Sequence, residues 1–433
     1  MLVPTRRLAA LFALGAIAVF LVGTEAGFWA VNAVLVGIAV LDGLSAPKPD
    51  LVRVERDLPQ VVTLGSRAPV VWTLTNLGRR PVRVAFADQL APSLRAGSRQ
   101  ARVRLLPAQP AHVYTELTPT RRGRFVIEGL TLRIEGPLGL AARQHGRPLP
   151  AVLRVYPSFR SRAEAELRID KARVVEVGLR SARGHGGGTE FEQLREYTVD
   201  DEFRRIDWAA TARSGKAIVR TYRAERNQTV ISLLDNGRVM AGRVDGVPRV
   251  EHAMDAVMML TAVATRLGDR AGLVAFDSAV RAVVPPGHTR DQLSRVTEAM
   301  YELEPQLAES DYRGAFTQTL ARFRRRAMLV VFTDLVEQAV GETLLPALPM
   351  IVRSHLVVVA SVRDPDVVRW AASSPRDASE AYRKGAAVAA LEERQRTIAR
   401  LRGAGATVVD APPGELAPRL ADAYLKVKAT GRL

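Results

Sequence analysis

Three aspartates stand beside elements of one predicted sheet, in a pattern that suits a hard divalent cation. Asp235 closes an apolar strand, Asp334 closes a second one, and Asp311 opens the helix that precedes the second strand. Oxygen ligands of this kind suit Mg²⁺, which takes a few carboxylates and keeps several waters. The alternative is structural, because aspartates commonly cap helices and end strands, as Asp311 and Asp334 would here.

A second candidate surface is the segment from Gly184 to Arg213. It begins with a glycine-rich loop, Gly184–Gly188, in which glycine permits a positive φ and close backbone approach. The charged residues that follow, interleaved with aromatics, fit two interpretations, a solvated amphipathic helix or a docking surface. The docking interpretation assigns charge complementarity and apolar anchors to ten residues. They are Glu190, Phe191, Arg195, Glu196, Tyr197, Asp201, Arg204, Asp207, Trp208 and Arg213.

Motifs that indicate an enzyme are missing from the sequence. Ser214–Ala217 lacks both the upstream glycine and the hydroxyl residue of a phosphate-binding loop, and neither a His-Glu-x-x-His helix nor a Gly-x-Ser-x-Gly elbow occurs. His185 stands in its loop without a carboxylate to orient it. The absence of cysteine excludes thiol nucleophiles, disulfides and cysteine metal sites. We therefore expect a protein that is not an enzyme; the alternative is a metal-dependent hydrolase or phosphoryl-transfer enzyme that uses the three aspartates.

The charge balance fits two explanations equally well, acidic partners or a composition bias of the whole proteome. The chain has 62 Lys and Arg against 45 Asp and Glu, a net charge of +17, which suits nucleic acid or an anionic membrane face. The one local basic cluster, Arg322–Arg326, is typical of a helix end, where cations offset the helix dipole. Few aromatics lie among the basic residues, so we expect no specific nucleic-acid binding.

Two apolar runs near the amino terminus predict a pair of membrane spans. The runs are Leu8–Gly23 and Phe28–Leu41, with Thr24–Gly27 between them. A cleavable signal peptide is the competing interpretation, and the second run argues against it. Basic residues before the first run place both ends of the hairpin in the cytoplasm, so the rest of the chain is expected on the cytoplasmic side of the inner membrane.

Hydrophobic periodicity changes once along the remaining chain. From Leu51 to Tyr156 it has period two, which predicts an antiparallel β-sandwich of the immunoglobulin-like kind. After residue 229, apolar strands alternate with helices, one of them near 341–352, which predicts a doubly wound α/β domain with a mostly parallel sheet. The predicted domains are a transmembrane helical hairpin at 1–45, the β-sandwich at 46–160, a glycine-rich segment and linker at 161–228, and the α/β domain at 229–433.

The chain resembles the bacterial domain of unknown function 58 family over essentially its whole length. The resemblance is carried by Gly188–Phe191, Leu194–Tyr197, Asp201, Arg204, Ile206–Trp208, Ala212–Arg213, Tyr222 and Glu225. It implies two amino-terminal spans, a small β-domain and a von Willebrand factor A-like α/β domain. It also implies partnership with a MoxR-type AAA+ ATPase, so we expect a membrane-tethered interaction or adaptor protein.

Two departures from the family patterns bear on the site. The metal-ion-dependent adhesion site of von Willebrand factor A domains has the sequence motif Asp-x-Ser-x-Ser, with a Thr and an Asp on later loops. Here Asp235 and Asp334 match, Gly237 and Val239 replace the serines, and Asp311 stands near the position of the threonine. The second departure is Val199-Asp200-Asp201, where family members commonly carry Pro-Gly-Asp.

Overall fold

The computed structural model describes residues 1–22, 24–182, 190–199, 201, 203–223 and 228–430. Two compact units, Met1–Tyr156 and Pro157–Leu433, divide the chain. Each unit has its own hydrophobic core.

Two helices begin the first unit after a short strand. The strand is β1 (Leu2–Pro4), and the helices are α1 (Arg6–Val22) and α2 (Glu25–Ser45). The helices pack on each other at Gly15, where a Cβ would lie 3.2 Å from Leu35 Cδ1. Among the described residues, α2 is the one helix long and apolar enough to cross a membrane, and only 17% of its apolar window is buried.

Eight further strands of the first unit form two sheets around one core. The strands are β2 (Val52–Asp57), β3 (Val61–Thr63), β4 (Ala68–Asn76), β5 (Val82–Asp88), β6 (Gln100–Leu105), β7 (Pro110–Leu117), β8 (Gly123–Glu135) and β9 (Ala141–Tyr156). One sheet has the order β1-β9-β8-β5-β6, with β3 beside β9, and the other has the order β2-β4-β7. Alternate residues such as Val70, Trp72 and Leu74 of β4 point into the shared core. This alternation is why the sequence predicted the strands.

A buried ion pair connects the two sheets. Arg56 Nη1 of β2 lies 2.7 Å from Asp88 Oδ1 of β5, and both side chains are almost completely enclosed. Trp72 Nε1 donates to the other carboxylate oxygen at 2.6 Å. The buried charges therefore have charged or polar partners, as burial requires.

The second unit has a larger set of elements. Its helices are α3 (Arg162–Ala182), α4 (Trp208–Ser214), α5 (Arg238–Ala241), α6 (Arg249–Arg266), α7 (Gln292–Tyr301), α8 (Tyr312–Arg322), α9 (Glu337–Ala339), α10 (Leu345–Ala347), α11 (Pro349–Val352), α12 (Pro365–Ala372), α13 (Ala378–Gly403) and α14 (Leu416–Ala429). Its strands are β10 (Glu190–Glu196), β11 (Ile218–Arg223), β12 (Thr229–Asp235), β13 (Arg243–Val244), β14 (Val247–Pro248), β15 (Arg270–Phe276), β16 (Val280–Gly287), β17 (Met328–Phe332), β18 (Leu356–Val362) and β19 (Thr407–Ala411).

A six-stranded sheet is the centre of the second unit. Its order is β16-β15-β12-β17-β18-β19, and only the edge strand β16 is antiparallel. Successive strand residues face two different cores: Leu234 and Phe332 pack with α6 and α14, whereas Leu233 and Val331 pack with α8 and α13. Burial on both faces explains the nearly unbroken apolar strands. The chain is therefore a mixed α/β protein with several sheets.

The structure corrects two predictions of local structure. The amphipathic-helix interpretation is wrong for Glu190–Glu196, which forms β10 and pairs antiparallel with β11. Pairing with a strand more than twenty residues away overrides the local charge pattern. The single helix expected near 341–352 is divided into α9, a π-helical turn at Val340–Leu344, α10 and α11. Pro346 and Pro349 lack the backbone N–H that a continuous helix needs.

Candidate functional site

Asp235 lies at the carboxyl end of β12, completely buried, with hydrogen-bond donors around both carboxylate oxygens. Its Oδ1 accepts from Ser310 Oγ at 2.5 Å and from the Gly237 N–H at 2.8 Å. Its Oδ2 accepts from Thr333 Oγ1 at 2.6 Å and from the Tyr312 hydroxyl at 2.7 Å. The chain itself therefore supplies the donors that a buried carboxylate requires.

Ser310 stands in for the serine that the Asp-x-Ser pattern would place at position 237. A Cβ on Gly237 would overlap Ser310 Oγ and would come within 3.0 Å of the Ala308 carbonyl oxygen. The loop that carries Ser310 is fastened beside β12, because the Arg238 N–H donates to Ala308 O at 2.9 Å. Sequence reasoning missed Ser310, although a hydroxyl residue directly before Asp311 was a signal that could have found it.

Tyr312 is the donor whose charge state matters most. Complete burial, and then the negative charge of Asp235, raise the pKa of the Tyr312 hydroxyl well above its ordinary value of 10.0. The phenol therefore stays neutral and keeps its proton for a hydrogen bond. Phe276 and Phe316 fix the ring, with centroid distances of 5.4 and 6.2 Å.

Asp334 lies at the end of the neighbouring strand and is held by two arginines. Its Oδ1 accepts from Arg394 Nη1 at 3.0 Å and from Ser361 Oγ at 3.2 Å. Arg249 Nε lies 3.2 Å from Oδ2 as an ion pair without hydrogen-bond geometry. Arg394 also contacts Asp410 at 2.8 Å, so one guanidinium joins two strand ends.

Asp311 has a different role from the other two aspartates. It is exposed and caps α8, with its Oδ1 accepting from the Gly314 N–H at 2.9 Å, so the structural interpretation of Asp311 is confirmed. Within the described ranges, no group of three or more His, Cys, Asp or Glu side chains is placed to hold a metal ion. Each of the three aspartates binds its own set of partners. Two guanidinium groups beside Asp334 also oppose a divalent cation, so this donor set does not fit the predicted magnesium cluster.

A cavity beside these strand ends is very small. Its volume is about 30 Å³, comparable with a single water molecule. Arg238, Ser310, Tyr312 and Glu342 are among its lining residues. The cavity does not admit an organic substrate in this arrangement.

Several charged residues of the predicted docking segment form ion pairs within the second unit. Arg195 forms a bidentate pair with Asp201, with N–O distances of 2.6 and 2.8 Å. The Thr198 N–H and hydroxyl donate to the same carboxylate at 2.9 and 2.8 Å. Burial raises the pKa of Asp201, but the hydrogen bonds from Arg195 and Thr198 outweigh it, so the pKa lies below its ordinary value. These contacts fix the loop that follows β10.

A second pair orders the start of α4. Asp207 caps this helix by accepting from the Ala210 N–H at 3.0 Å, and Arg220 Nε lies 2.6 Å from its other oxygen. The Ala210 N–H, and then Arg220, hold the pKa of Asp207 below its ordinary value. Glu196, at the end of β10, pairs with Lys216, just before β11, at 2.6 Å. Arg220 and Lys216 are ion-pair partners that sequence reasoning did not single out.

Apolar side chains of this segment face outward. Phe203 and Trp208 are about two-thirds exposed and lie edge to face, with ring centroids 5.7 Å apart. Leu194 and Val199 are also exposed, the latter almost fully. We call these four residues, together with the exposed Arg204, the aromatic patch.

The ten predicted docking residues thus separate by environment. Four are engaged within the unit: Arg195, Glu196, Asp201 and Asp207. Arg204, Trp208 and Arg213 are exposed, and Tyr197 is half-buried. The side chains of Glu190 and Phe191 and the whole loop Gly184–Gly188 lie outside the described residues.

Comparison with known protein families gives one match. Residues 193–369 match the family described as protein of unknown function DUF58. The DUF58 match covers less than half of the chain, from β10 into α12. It includes the aromatic patch and Asp235 with its side-chain donors Ser310, Tyr312 and Thr333. The resemblance predicted from the signature residues is confirmed over this range, while the membrane anchor, the von Willebrand factor A-like assignment and the MoxR partnership stay predictions.

Several solved structures have short, distant similarities to this chain. The CARDB domain of the PF1109 protein from Pyrococcus furiosus is 18% identical over 24% of this chain and 86% of its own, with a TM-score of 0.17. A fragment of native alpha-2-macroglobulin from Escherichia coli is 19% identical over 26% of this chain and 17% of its own, with a TM-score of 0.20. A human complex of zinc 2-glycoprotein and prolactin inducible protein contains a chain 10% identical over 24% of this chain and 93% of its own, with a TM-score of 0.18. No curated protein matches the chain.

Proposed function

We propose that this chain is a membrane-tethered interaction protein whose aromatic patch docks an AAA+ ATPase of the MoxR type. The observation that carries the proposal is the exposed pair Phe203 and Trp208, presented by a loop and helix that internal ion pairs hold in place. Exposed aromatic residues beside arginine are the composition of binding hot spots. The ATPase class comes from the resemblance of the signature residues.

The tether is supported by the outward-facing side chains of the first two helices. Leu14, Ile17 and Phe20 of α1, and Trp29 and Leu41 of α2, are all largely exposed. Surfaces of this kind suit lipid rather than water. Both helices are therefore proposed to span the membrane, although α1, at about 26 Å, is slightly shorter than a bilayer core.

The ends of the helix pair meet at one place. The Thr5 N–H before α1 donates to Leu140 O at 3.0 Å, and Asp42 near the end of α2 accepts from the Leu140 N–H at 2.7 Å. Both ends would thus leave a membrane on the same side. Arg6 and Arg7 make that side the cytoplasmic face of the inner membrane by the positive-inside rule.

The α/β unit enters the proposal as a von Willebrand factor A-like domain. The support is the strand order, with one antiparallel edge strand, and the position of Asp235 and Thr333 at adjacent strand ends. In this chain the loops at that edge would serve recognition rather than metal chemistry, since Ser310 and two arginines engage the carboxylates.

Co-purification from detergent extract tests the docking proposal. Trp208→Ala and Phe203→Ala are expected to lose most of the recovered ATPase, and Arg204→Ala part of it. Tyr382→Ala is the matched control, because Tyr382 is an exposed aromatic on α13. Equal recovery with all four variants would refute the aromatic patch as the docking site. Asp207→Ala is a poor test, since Asp207 caps α4 and its loss disturbs the fold.

The alternative function, a metal-dependent hydrolase or phosphoryl-transfer enzyme, requires the three aspartates to share an ion. Their separate engagement gives it no support. Calorimetric titration of the full chain with Mg²⁺ and Mn²⁺ discriminates the two functions. Heat of binding that disappears in Asp235→Asn would favour the enzyme.

A further inference from the structure

The charge excess of the chain is concentrated in the unit that carries the apolar helices. Residues 1–156 contain 20 Lys and Arg against 9 Asp and Glu, a net charge of +11 out of the +17 of the whole chain. The other unit is longer and carries only the remaining +6. A strongly basic domain next to membrane spans is attracted by an anionic bilayer surface.

The strand register gathers several turns of the β-sandwich at the end where the helices join it. Val82 of β5 pairs with Leu105 of β6, and Val84 of β5 pairs with Ile134 of β8. The turns at 77–81, 106–109 and 136–140 therefore lie at one end of the two sheets. The segment after α2 lies there too, because Val52 pairs with Asn76.

The helices are fastened to this same end. Asp42 of α2 is buried and accepts from the N–H groups of Leu138, Leu140 and Ala141, at 2.7, 2.7 and 3.0 Å. β1 pairs with the start of β9, so the residues before α1 are held as well. We call this end of the sandwich, comprising 46–51 and the turns 77–81, 106–109 and 136–140, the helix-side end.

Exposed leucines mark each of these turns. They are Leu51, Leu77, Leu106 and Leu138, each between 39% and 59% exposed. The Leu77 N–H donates to Leu51 O at 2.7 Å, and the Ala108 N–H donates to Asn76 O at 2.9 Å, which brings three of the turns together. A leucine at the tip of every turn at one end is costly in water and favourable at a lipid interface.

Exposed cations surround the leucines. They are Arg6, Arg7, Lys48, Arg79, Arg80, Arg83 and Arg104. In the part of the chain that the structure describes, none of these seven forms an ion pair, and Arg83 and Arg104 stand opposite each other in the strand register. Asp50 is exposed beside Lys48 and opposes this charge, whereas Glu135 is already paired with Arg102 at 3.6 Å.

We propose that the helix-side end rests on the bilayer, with its leucines among the lipid headgroups and its arginines on the phosphates of anionic phospholipids. The inference rests on the membrane tether of the proposed function. It adds a lipid-binding surface and a fixed orientation of the β-sandwich, and it is independent of the ATPase partner.

Site-directed labelling tests the placement, because the natural chain has no cysteine to interfere. Leu77→Cys and Leu106→Cys carry a fluorophore in the full chain, reconstituted into vesicles of phosphatidylcholine and phosphatidylglycerol with quenchers at the headgroup or mid-chain. Val126→Cys is the control, exposed on β8 about 30 Å from the helix-side end. We expect headgroup quenching at 77 and 106 and none at 126.

A label at Val34→Cys, exposed in the middle of α2, separates the two proposals. Quenching at Val34 by mid-chain lipid, without quenching at 77 and 106, would overturn the lipid-binding surface and leave the tether intact. No quenching at Val34 would overturn the tether and the surface with it.

Lipid selectivity tests whether the arginines of the helix-side end bind anionic phospholipid. We expect the full chain to select spin-labelled phosphatidylglycerol over phosphatidylcholine. Arg79→Gln with Arg80→Gln should weaken the selection roughly tenfold, since each arginine near an anionic surface contributes to binding. Arg67→Gln with Arg124→Gln removes the same charge from the far end and should leave selection unchanged. Equal effects of the two pairs would overturn the assignment of the arginines to lipid phosphates.

Discussion

Ser310 and Gly237 share one space: the hydroxyl of Ser310 fills the volume in which a side chain on Gly237 would stand. From there it donates to Asp235 at 2.5 Å. The serine hydroxyl that contacts Asp235 thus comes from a loop about seventy residues later in the chain.

This relationship predicts that a serine at position 237 damages the fold. Gly237→Ser should lower the free energy of unfolding by about 1–3 kcal/mol, because the new side chain overlaps Ser310 and strains the loop. The double variant Gly237→Ser with Ser310→Gly should recover most of the loss. Urea denaturation of the detergent-solubilised chain measures both, and two additive losses would contradict the shared-space interpretation.

Arg394 is predicted to be the most costly arginine to remove from the α/β unit. Arg394→Met leaves Asp334 and Asp410 buried without their shared cation, so we expect a loss of about 3–5 kcal/mol of unfolding free energy. Arg396→Met, on the exposed face of the same helix, should change stability little. Denaturant unfolding of the two variants side by side provides the measurement.

Asp42 is predicted to hold the turn between β8 and β9. Asp42→Asn replaces one acceptor oxygen by an amide donor, which would face N–H groups of the turn, so a loss of about 1–3 kcal/mol is expected. Hydrogen exchange at residues 137–141 should rise in this variant and stay unchanged in Asp50→Asn, whose carboxylate is exposed. Slow exchange in both variants would show that Asp42 is dispensable.

His355 is predicted to lower the stability of the α/β unit in mild acid. Burial, and then Arg326, lower the pKa of His355 below its ordinary value of 6.5, and its Nδ1 accepts from the Ala327 N–H at 3.2 Å. The unfolded chain therefore takes up the proton more readily, so stability is complete above about pH 6.5 and falls below it. Burial lowers the pKa of His252 as well, which acts in the same direction.

His355→Asn isolates this contribution, because an amide oxygen keeps the acceptor and does not titrate. The thermal midpoint should fall less between pH 7 and pH 5 in this variant than in the natural chain. His288→Asn is the control, since His288 is exposed. An identical pH profile for the natural chain and His355→Asn would contradict the prediction.

Periodicity predicted most of the regular structure. Strands such as β4 and β5 alternate apolar and polar residues. β17 is apolar throughout and β18 is apolar except for Ser361, so their hydrophobic runs identify them. The helix α3 was not predicted, because its first residues, 162–170, alternate charged and apolar side chains, which obscures the helical period. β10 was not predicted either, because its strand conformation depends on pairing with β11.

Side-chain partnerships were the part that the sequence could not supply. Asp235, Asp334 and Asp311 were recognisable from their places at element ends. Their partners, such as Ser310 and Arg394, come from distant segments and are fixed only by the tertiary fold. Three aspartates in suggestive positions therefore predicted a metal cluster, whereas hydroxyls, arginines and a helix end engage them one by one.

The triple hydrogen bond to Asp42 has a mechanical consequence. The end of α2 is fixed to the β8–β9 turn through Asp42, and the strand before α1 pairs with β9. The β-sandwich and the two helices are therefore connected without a flexible linker. In the proposed membrane-spanning arrangement, a force that tips the sandwich would also tilt the helices against the lipid, so work done on the domain would reach the bilayer directly.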